Sequence, residues 1–199
     1  MTPLAQIDLV LASTSRYRRE LLARITAQIR QIAPDTDETP LPMETPAALA
    51  ARLAQAKAGA VALRCAGALV IGSDQVAELS GKILGKPGTA EHARDQLAAC
   101  AGREVVFHTA IHLFDTRVEP AREYAAMDTT RVQFRALDAA EIARYVERES
   151  PLDCAGSFKS EGLGVGLFER IVCEDPTALI GLPLIALCRL LRQAGIATI

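Results

Sequence analysis

Aromatic residues make up only 4% of this 199-residue chain, tryptophan is absent, and 22 Lys plus Arg face 24 Asp plus Glu for a formal net charge of -2. Basic side chains interleaved with aromatics, the footprint of a nucleic-acid surface, are therefore missing, and any anion binding has to be local. No apolar run approaches the roughly 20 residues that cross a bilayer. The longest, Ala178 to Cys188, is broken by Gly181 and Pro183. Neither a nucleic-acid nor a membrane partner is expected. The N-terminus lacks a basic segment ahead of its short apolar stretch Leu9 to Ala12, so no export is expected. The five cysteines are scattered without a CxxC pair, which disfavours a disulfide framework and a zinc site and suits a reducing, cytoplasmic setting. Also missing are a G-x-S-x-G elbow, a Walker A lysine and a dinucleotide G-x-G-x-x-G after a strand.

What is there alternates between helical and strand patterns. Asp8 to Ala12 reads as a strand feeding, through Ser13, Thr14 and Ser15, a helix to about Ala27. A short strand follows at Ile29 to Ala33. Pro34 to Pro46, with four prolines and the acids Asp35, Asp37 and Glu38, reads as an exposed loop. Pro46 to Arg64 predicts a helix with an apolar stripe at Leu49, Leu53, Ala56, Ala60 and Leu63, and Ala68 to Leu79 a strand. Thr89 caps a helix to about Ala101. Glu104 to Phe114 and Glu123 to Ala136 predict an antiparallel pair. Asp138 caps a helix through Arg148, Leu167 to Cys173 is a strand, and Leu184 to Gln193 closes the chain as a helix. No linker interrupts residues 1–199, so we expect one domain of mixed α/β (α+β) class, two lobes around a central cleft.

Chemistry concentrates in a few places. Ser15-Arg16-Tyr17-Arg18-Arg19 puts three cations at the helix end that already favours negative charge, an arrangement suited to a bound phosphate reached also by the Ser13 and Ser15 hydroxyls. Lysine occurs only at positions 57, 82, 86 and 159. Lys57 lies at the edge of an apolar stripe, Lys86 in Gly-Lys-Pro and Lys159 in a Gly-rich stretch, contexts in which a compact ammonium reaches a phosphate; Lys82, at a hairpin tip, is expected to be solvated. Asp74 interrupts the apolar strand Leu69 to Val76 on the side of Val70, Gly72 and Val76, where Gly72 is expected to leave space for a ligand. An isolated buried carboxylate needs a cation, a metal or donors, so Asp74 is a candidate metal ligand or general base, with Glu38 the second oxygen ligand. His92, His108 and His112 lack metal or triad spacing and are assigned no chemistry.

Leu11-Ala12-Ser13-Thr14-Ser15-x-x-Arg18-Arg19-x-Leu21-Leu22, Asp37-Glu38, Ala54-x-x-Lys57-Ala58, Ile71-Gly72-Ser73-Asp74-Gln75, Gly85-Lys86-Pro87 and Val132-x-Phe134-Arg135 together resemble the Maf family of nucleoside triphosphate pyrophosphatases. The resemblance covers nearly the whole chain. It implies a two-lobed Maf/ITPase-like fold, a mixed twisted sheet with flanking helices around the cleft. It further implies release of pyrophosphate from a nucleoside triphosphate, with a divalent metal (Mg²⁺ or Mn²⁺), and a homodimer. Pro151-Leu152-x-Cys154-Ala155-Gly156-Ser157-Phe158-Lys159-Ser160-Glu161-Gly162 and Leu167-Phe168-Glu169-Arg170 resemble the subgroup that prefers 7-methyl-GTP. Its specificity positions fall on Tyr17, Gln75 and Glu161. Arg16 stands where the family generally has Pro, and Tyr17 where the subgroup has Trp. The implied roles are Asp74 as catalytic residue, Ser13, Ser15, Arg18, Lys57 and Lys86 on phosphate, and Glu38 with Asp74 on metal. Two alternatives remain at this level, a dTTP/UTP pyrophosphatase and a nucleotide-binding regulator of cell division. Strict alternation sets Asp74 and Gln75 on opposite strand faces, so both are expected to line one pocket only where the strand bulges or ends.

Overall fold

The computed structural model describes all residues from Met1 to Ile199. Local sequence sets most element starts. Thr45, Thr89 and Asp138 each accept a hydrogen bond from the N–H three residues on, opening α2 (Pro46–Ala62), α3 (Ala90–Cys100) and α4 (Ala139–Glu149). At α4 the Glu141 side chain returns the bond to the Asp138 N–H, completing a capping box. Helix α1 (Arg16–Leu22), capped by Ser15, is shorter than its apolar pattern predicts. Its last turns tighten through bonds from Arg24 N to Leu21 O and Ile25 N to Leu22 O, and Thr26 Oγ1 accepts the Gln28 N–H to turn the chain out.

The main sheet has seven strands: β2 (Leu9–Ala12), β3 (Arg30–Ile32), β4 (Leu69–Leu79), β5 (Lys82–Leu84), β6 (Glu104–Asp115), β7 (Arg122–Phe134) and β8 (Phe168–Val172), in the order β3-β2-β4-β6-β7-β8 with β5 pairing β4. Strands β3, β2 and β4 run parallel, and β4, β6, β7 and β8 are antiparallel in turn. Strand β5, which the sequence reading leaves as a turn, forms the tip hairpin, with Lys82 exposed. The short strands β1 (Thr2–Pro3) and β9 (Ile196–Ala197) pair after the last helix, α5 (Leu184–Gln193).

Because β4, β6 and β7 are long, two cores form along one sheet. One packs β2 and the first half of β4 against α1 and α5, around Leu9, Leu11, Leu21, Leu69, Ile71 and Leu187. The other packs the far half of β4 and β6 against α3 and α4, around Ala77, Leu97, Phe107, Phe134, Ile142 and Val146. This is the mixed α/β architecture the sequence implies, two lobes sharing central strands.

Helix α2 covers the opposite face and corrects the predicted stripe. Its buried residues are Leu49, Ala50, Leu53, Ala54, Lys57, Ala58 and Val61, while Ala56 and Ala60 are half-buried and Leu63 is 91% exposed. In an alanine-rich helix apolar residues occur all round, so periodicity alone does not choose a face. Closest approach does. A Cβ on Gly72 would stand 2.2 Å from the Ala54 carbonyl oxygen and 2.6 Å from the Ala58 nitrogen. The space at Gly72 is thus taken by the α2 backbone rather than left for a ligand, and the close contact turns Lys57 into the middle of the buried face.

Candidate active site

Strand β2 pairs with β4 only as far as Leu11↔Ile71, and β5 takes up the same edge only at Ala77↔Leu84. Between them, Gly72 to Val76 have a free edge, and a cleft of about 690 Å³ opens there between the lobes. The register of β4 against β6 is unbroken through Asp74↔Ala110 and Gln75↔Thr109. Asp74 and Gln75 therefore line one cleft without the bulge or strand end that alternation demands. They point to opposite faces and the cleft wraps the open edge. The ten residues to which the family resemblance gives a role, Ser13, Ser15, Tyr17, Arg18, Glu38, Lys57, Asp74, Gln75, Lys86 and Glu161, all line it.

One end is cationic. Lys57, only 5% exposed, donates to Asp74 Oδ1 at 2.6 Å and pairs with Glu38 Oε1 at 2.5 Å. Asp74 is 7% exposed, so its charge is matched by the one cation α2 can deliver at this depth. Burial pushes the Glu38 carboxyl up, but the hydrogen bond and charge of Lys57, with Lys86 and Arg18 beyond, hold it below its ordinary value. The half-buried Arg18 donates Nε to the Gly181 carbonyl at 2.8 Å and lies 3.5 Å from Ser13 Oγ, which leaves part of its fork free. Burial lowers its pKa, against the pull of Asp74 and Glu38. Gly181 sits at φ 122°, a conformation glycine adopts without strain, and its carbonyl also accepts from Ser73 Oγ.

The two serine hydroxyls have local duties. Ser15 Oγ accepts from Arg18 N–H and Ser13 Oγ from Ser15 N–H, so each keeps its own O–H as a donor. Lys86 enters from the loop after β5, which Gln96 clips by donating to the Gly85 carbonyl at 3.1 Å while accepting from Ser157 Oγ at 2.6 Å. Of the other basic groups, Arg19 is exposed, and Arg16 lies over the Tyr17 ring, 4.7 Å from its centroid, donating to Tyr17 Oη at 2.9 Å. Lys159 is not in the cleft. Its ammonium caps α4 through the Glu149 carbonyl at 2.7 Å, so the third lysine of the sequence argument is structural.

The other end is anionic and aromatic. Tyr17, Asp153, Cys154, Ser160 and Glu161 line it over a floor of Phe107, Phe158 and Leu179. Asp153 and Glu161 form no ion pair. Burial, Asp153 and Glu161 push the Cys154 thiol up to about 12, the direction that favours the neutral thiol over a thiolate. Gln75 Nε2 donates to Thr109 Oγ1, Ala178 O and Leu179 O at 2.9 to 3.1 Å, leaving Oε1, an acceptor, as its free polar atom. Asp153 and Thr109 escaped the sequence reading, and Gly181, part of an apolar motif there, was given no site role. Gly-Leu-Pro at 181–183 was the only local signal: Thr109 acts through Gln75 and Ala178, far away in the chain, and Asp153 bonds only to its neighbour Cys154.

No third His, Cys, Asp or Glu joins Glu38 and Asp74 to complete a protein-only metal cage. Two carboxylates facing three cations do fit a hard divalent ion that arrives with phosphate oxygens and keeps water, as Mg²⁺ does. A second depression, of about 370 Å³ beside β3, offers no comparable chemistry: its charged groups, Asp8 and Arg30, pair with each other at 2.8 Å.

Comparison with known proteins finds relatives over most of the chain. The Maf-like protein family model matches residues 8–194. A relative from Xanthomonas oryzae pv. oryzae (strain MAFF 311018), named 7-methyl-GTP pyrophosphatase, is 59% identical over 187 residues, covering 94% of this chain and 96% of its own length. A Burkholderia thailandensis relative of the same name is 55% identical over 190 residues, covering 94% of this chain and 87% of its own length. Among solved structures, the Staphylococcus aureus Ham1 protein superposes with a TM-score of 0.52 at 17% identity, covering 94% of this chain and 99% of that one, a likeness of fold.

Proposed function

The chain belongs to the Maf family, and from that premise we propose that it hydrolyses 7-methyl-GTP to 7-methyl-GMP and pyrophosphate. The observation that carries the reading is the division of charge in the cleft. Arg18, Lys57 and Lys86 stand at one end with only two carboxylates against them, and Tyr17, Asp153 and Glu161 at the other with no cation paired to either carboxylate. A triphosphate suits the first end. A base that carries positive charge and turns N–H donors outward suits the second, where two carboxylates, the Tyr17 ring and Gln75 Oε1 are electron-rich partners, with Arg16 stacked on one side of that ring.

The residues then divide the work. Arg18, Lys57 and Lys86 neutralise the phosphate oxygens and stabilise the charge that grows on the leaving pyrophosphate. Ser13 and Ser15 donate their free O–H groups to the same oxygens. Asp74 holds the attacking water and takes its proton, with the Lys57 ammonium on its Oδ1 keeping the carboxylate oriented. Glu38 and Asp74 are the groups that would hold a divalent ion, which supplies Lewis-acid polarisation of the phosphate oxygens when bound.

The test is pyrophosphate release from 7-methyl-GTP, GTP, dTTP, UTP and CTP, each with Mg²⁺, Mn²⁺ or chelator. A metal-dependent kcat/KM highest for 7-methyl-GTP is expected. A preference for dTTP or UTP would replace the base reading while keeping the phosphate chemistry, and tight binding without product would replace the enzyme by a regulator.

A further inference from the structure

Glu161 reaches the cleft from irregular backbone between Ser157 and the turn Leu163–Leu167. A carboxylate on such a segment discriminates between ligands only where something else fixes the segment. The fixing groups lie on α4, outside the cleft. Tyr145 Oη accepts from the Lys159 N–H at 3.0 Å. Lys159 Nζ donates to the Glu149 carbonyl at 2.7 Å, at the helix end whose carbonyls lack intrahelical partners and favour a cation. Glu149 Oε2 accepts from the Leu163 N–H at 2.8 Å, and its Oε1 lies 3.8 Å from Lys159 Nζ.

These bonds grip the backbone at 159 and 163, on either side of Glu161. The loop is closed from within, where Gly162 N and Gly164 N both donate to the Lys159 carbonyl. It is also tightly packed against its anchor. A Cβ on Gly162 would stand 2.7 Å from Glu149 Oε2, and one on Gly164 would stand 2.3 Å from the Lys159 carbonyl oxygen. Neither Tyr145 nor Glu149 nor Lys159 lines the cleft.

We propose that Glu149, with Tyr145 and Lys159, is a positioning residue for base selection: the C-terminal end of α4 holds the 159–163 loop so that Glu161 meets the base. The inference rests on the reading of Glu161 as a base contact. Its signature is a change in ground-state binding and base preference without a change at the phosphate end.

Glu149→Ala, Glu149→Gln, Tyr145→Phe and Glu161→Gln are assayed with 7-methyl-GTP and UTP, and with pyrophosphate as product inhibitor. Glu149→Ala is expected to raise KM for 7-methyl-GTP about ten-fold with kcat within about two-fold, as loss of binding shared by ground and transition states demands. Its preference over UTP should fall toward that of Glu161→Gln, while pyrophosphate inhibition stays unchanged. Glu149→Gln, which keeps an acceptor for the Leu163 N–H, should recover most of the loss. Tyr145→Phe, lacking a single hydroxyl, should show the same pattern more weakly and decides the matter if Glu149→Ala fails to fold. Unchanged KM and preference in the Glu149 and Tyr145 variants, or a loss confined to kcat, overturns the positioning role while Glu161→Gln still alters preference. If Glu161→Gln leaves preference intact, the base reading falls and takes this proposal with it.

Discussion

At the scale of single residues, the cleft is organised by Lys57. Its ammonium lies between Asp74 Oδ1 and Glu38 Oε1 at 2.6 and 2.5 Å, and its stem is buried in the α2 face. Removing one partner of a buried pair leaves the other charge uncompensated, at a cost of about 3 kcal/mol. Lys57→Met is therefore expected to lower stability by about that amount in denaturant unfolding, and the double variant with Asp74→Asn to recover much of it. Asp74→Asn alone is expected to cut turnover at least about a thousand-fold, with unchanged circular dichroism and a cooperative melt. Near-normal turnover would remove Asp74 from the chemistry. The charge character of these side chains was legible in the sequence because lysine is rare and an acid within an apolar strand stands out. Their pairing was not, since Lys57 and Asp74 meet only through the packing of α2 on β4.

At the scale of elements, that packing depends on Gly72. A methyl group there meets the Ala54 carbonyl oxygen at 2.2 Å, so α2 must lift off the strand. Gly72→Ala is expected to cost about 2–3 kcal/mol in unfolding free energy. It should also cost activity, because Lys57 rides on the displaced helix; a stable, fully active variant would show that the helix seat does not place Lys57. The loop that carries Glu38 is tied to the same helix by Arg52, which donates to Glu44 Oε1 at 2.6 Å, to Glu44 Oε2 at 2.8 Å and to the Thr39 carbonyl at 3.1 Å. Hydrogen bonds from Arg52 and the Leu41 N–H hold the Glu44 carboxyl down to about 2 from 4.5. A carboxylate whose pKa is depressed on folding stabilises above its unfolded value and loses that contribution as pH falls through the folded one. The melting-temperature difference between wild type and Glu44→Gln should therefore be level above 4.5 and shrink as pH falls from 4.5 toward about 2.

Element identities were largely legible, since caps at Thr45, Thr89 and Asp138, the apolar run of β4 and the strand-type runs of β6 and β7 are local signals. What local pattern did not carry was the helix face of α2, which close approach at Gly72 decides. Nor did it carry the gap between β2 and β5, which depends on where two other strands stop. That gap lets residues of both strand faces line one cleft, and strict alternation mistook it for a bulge.

At the scale of the whole molecule, the two cores share β4, β6 and β7, and the cleft between them draws its groups from both sides. Arg18 and Tyr17 come from the α1 lobe, and Lys86, Asp153 and Glu161 from the α3–α4 lobe. A nucleotide that spans both ends ties the lobes together, and binding to the folded chain alone stabilises it by about 2.7 kcal/mol at one hundred times Kd. Asp74→Asn with saturating 7-methyl-GTP should melt several degrees higher than without it. Pyrophosphate, which reaches only the cationic end, should give a smaller shift. Equal shifts would mean that the anionic end contributes no binding.

In the proposed reaction water, held by Asp74, attacks the α-phosphorus while the cationic end carries away pyrophosphate. Hydrolysis of 7-methyl-GTP in ¹⁸O-labelled water, with mass analysis of both products, tests it most directly. One ¹⁸O is expected in 7-methyl-GMP and none in pyrophosphate. Label in pyrophosphate, or release of orthophosphate in its place, would contradict it.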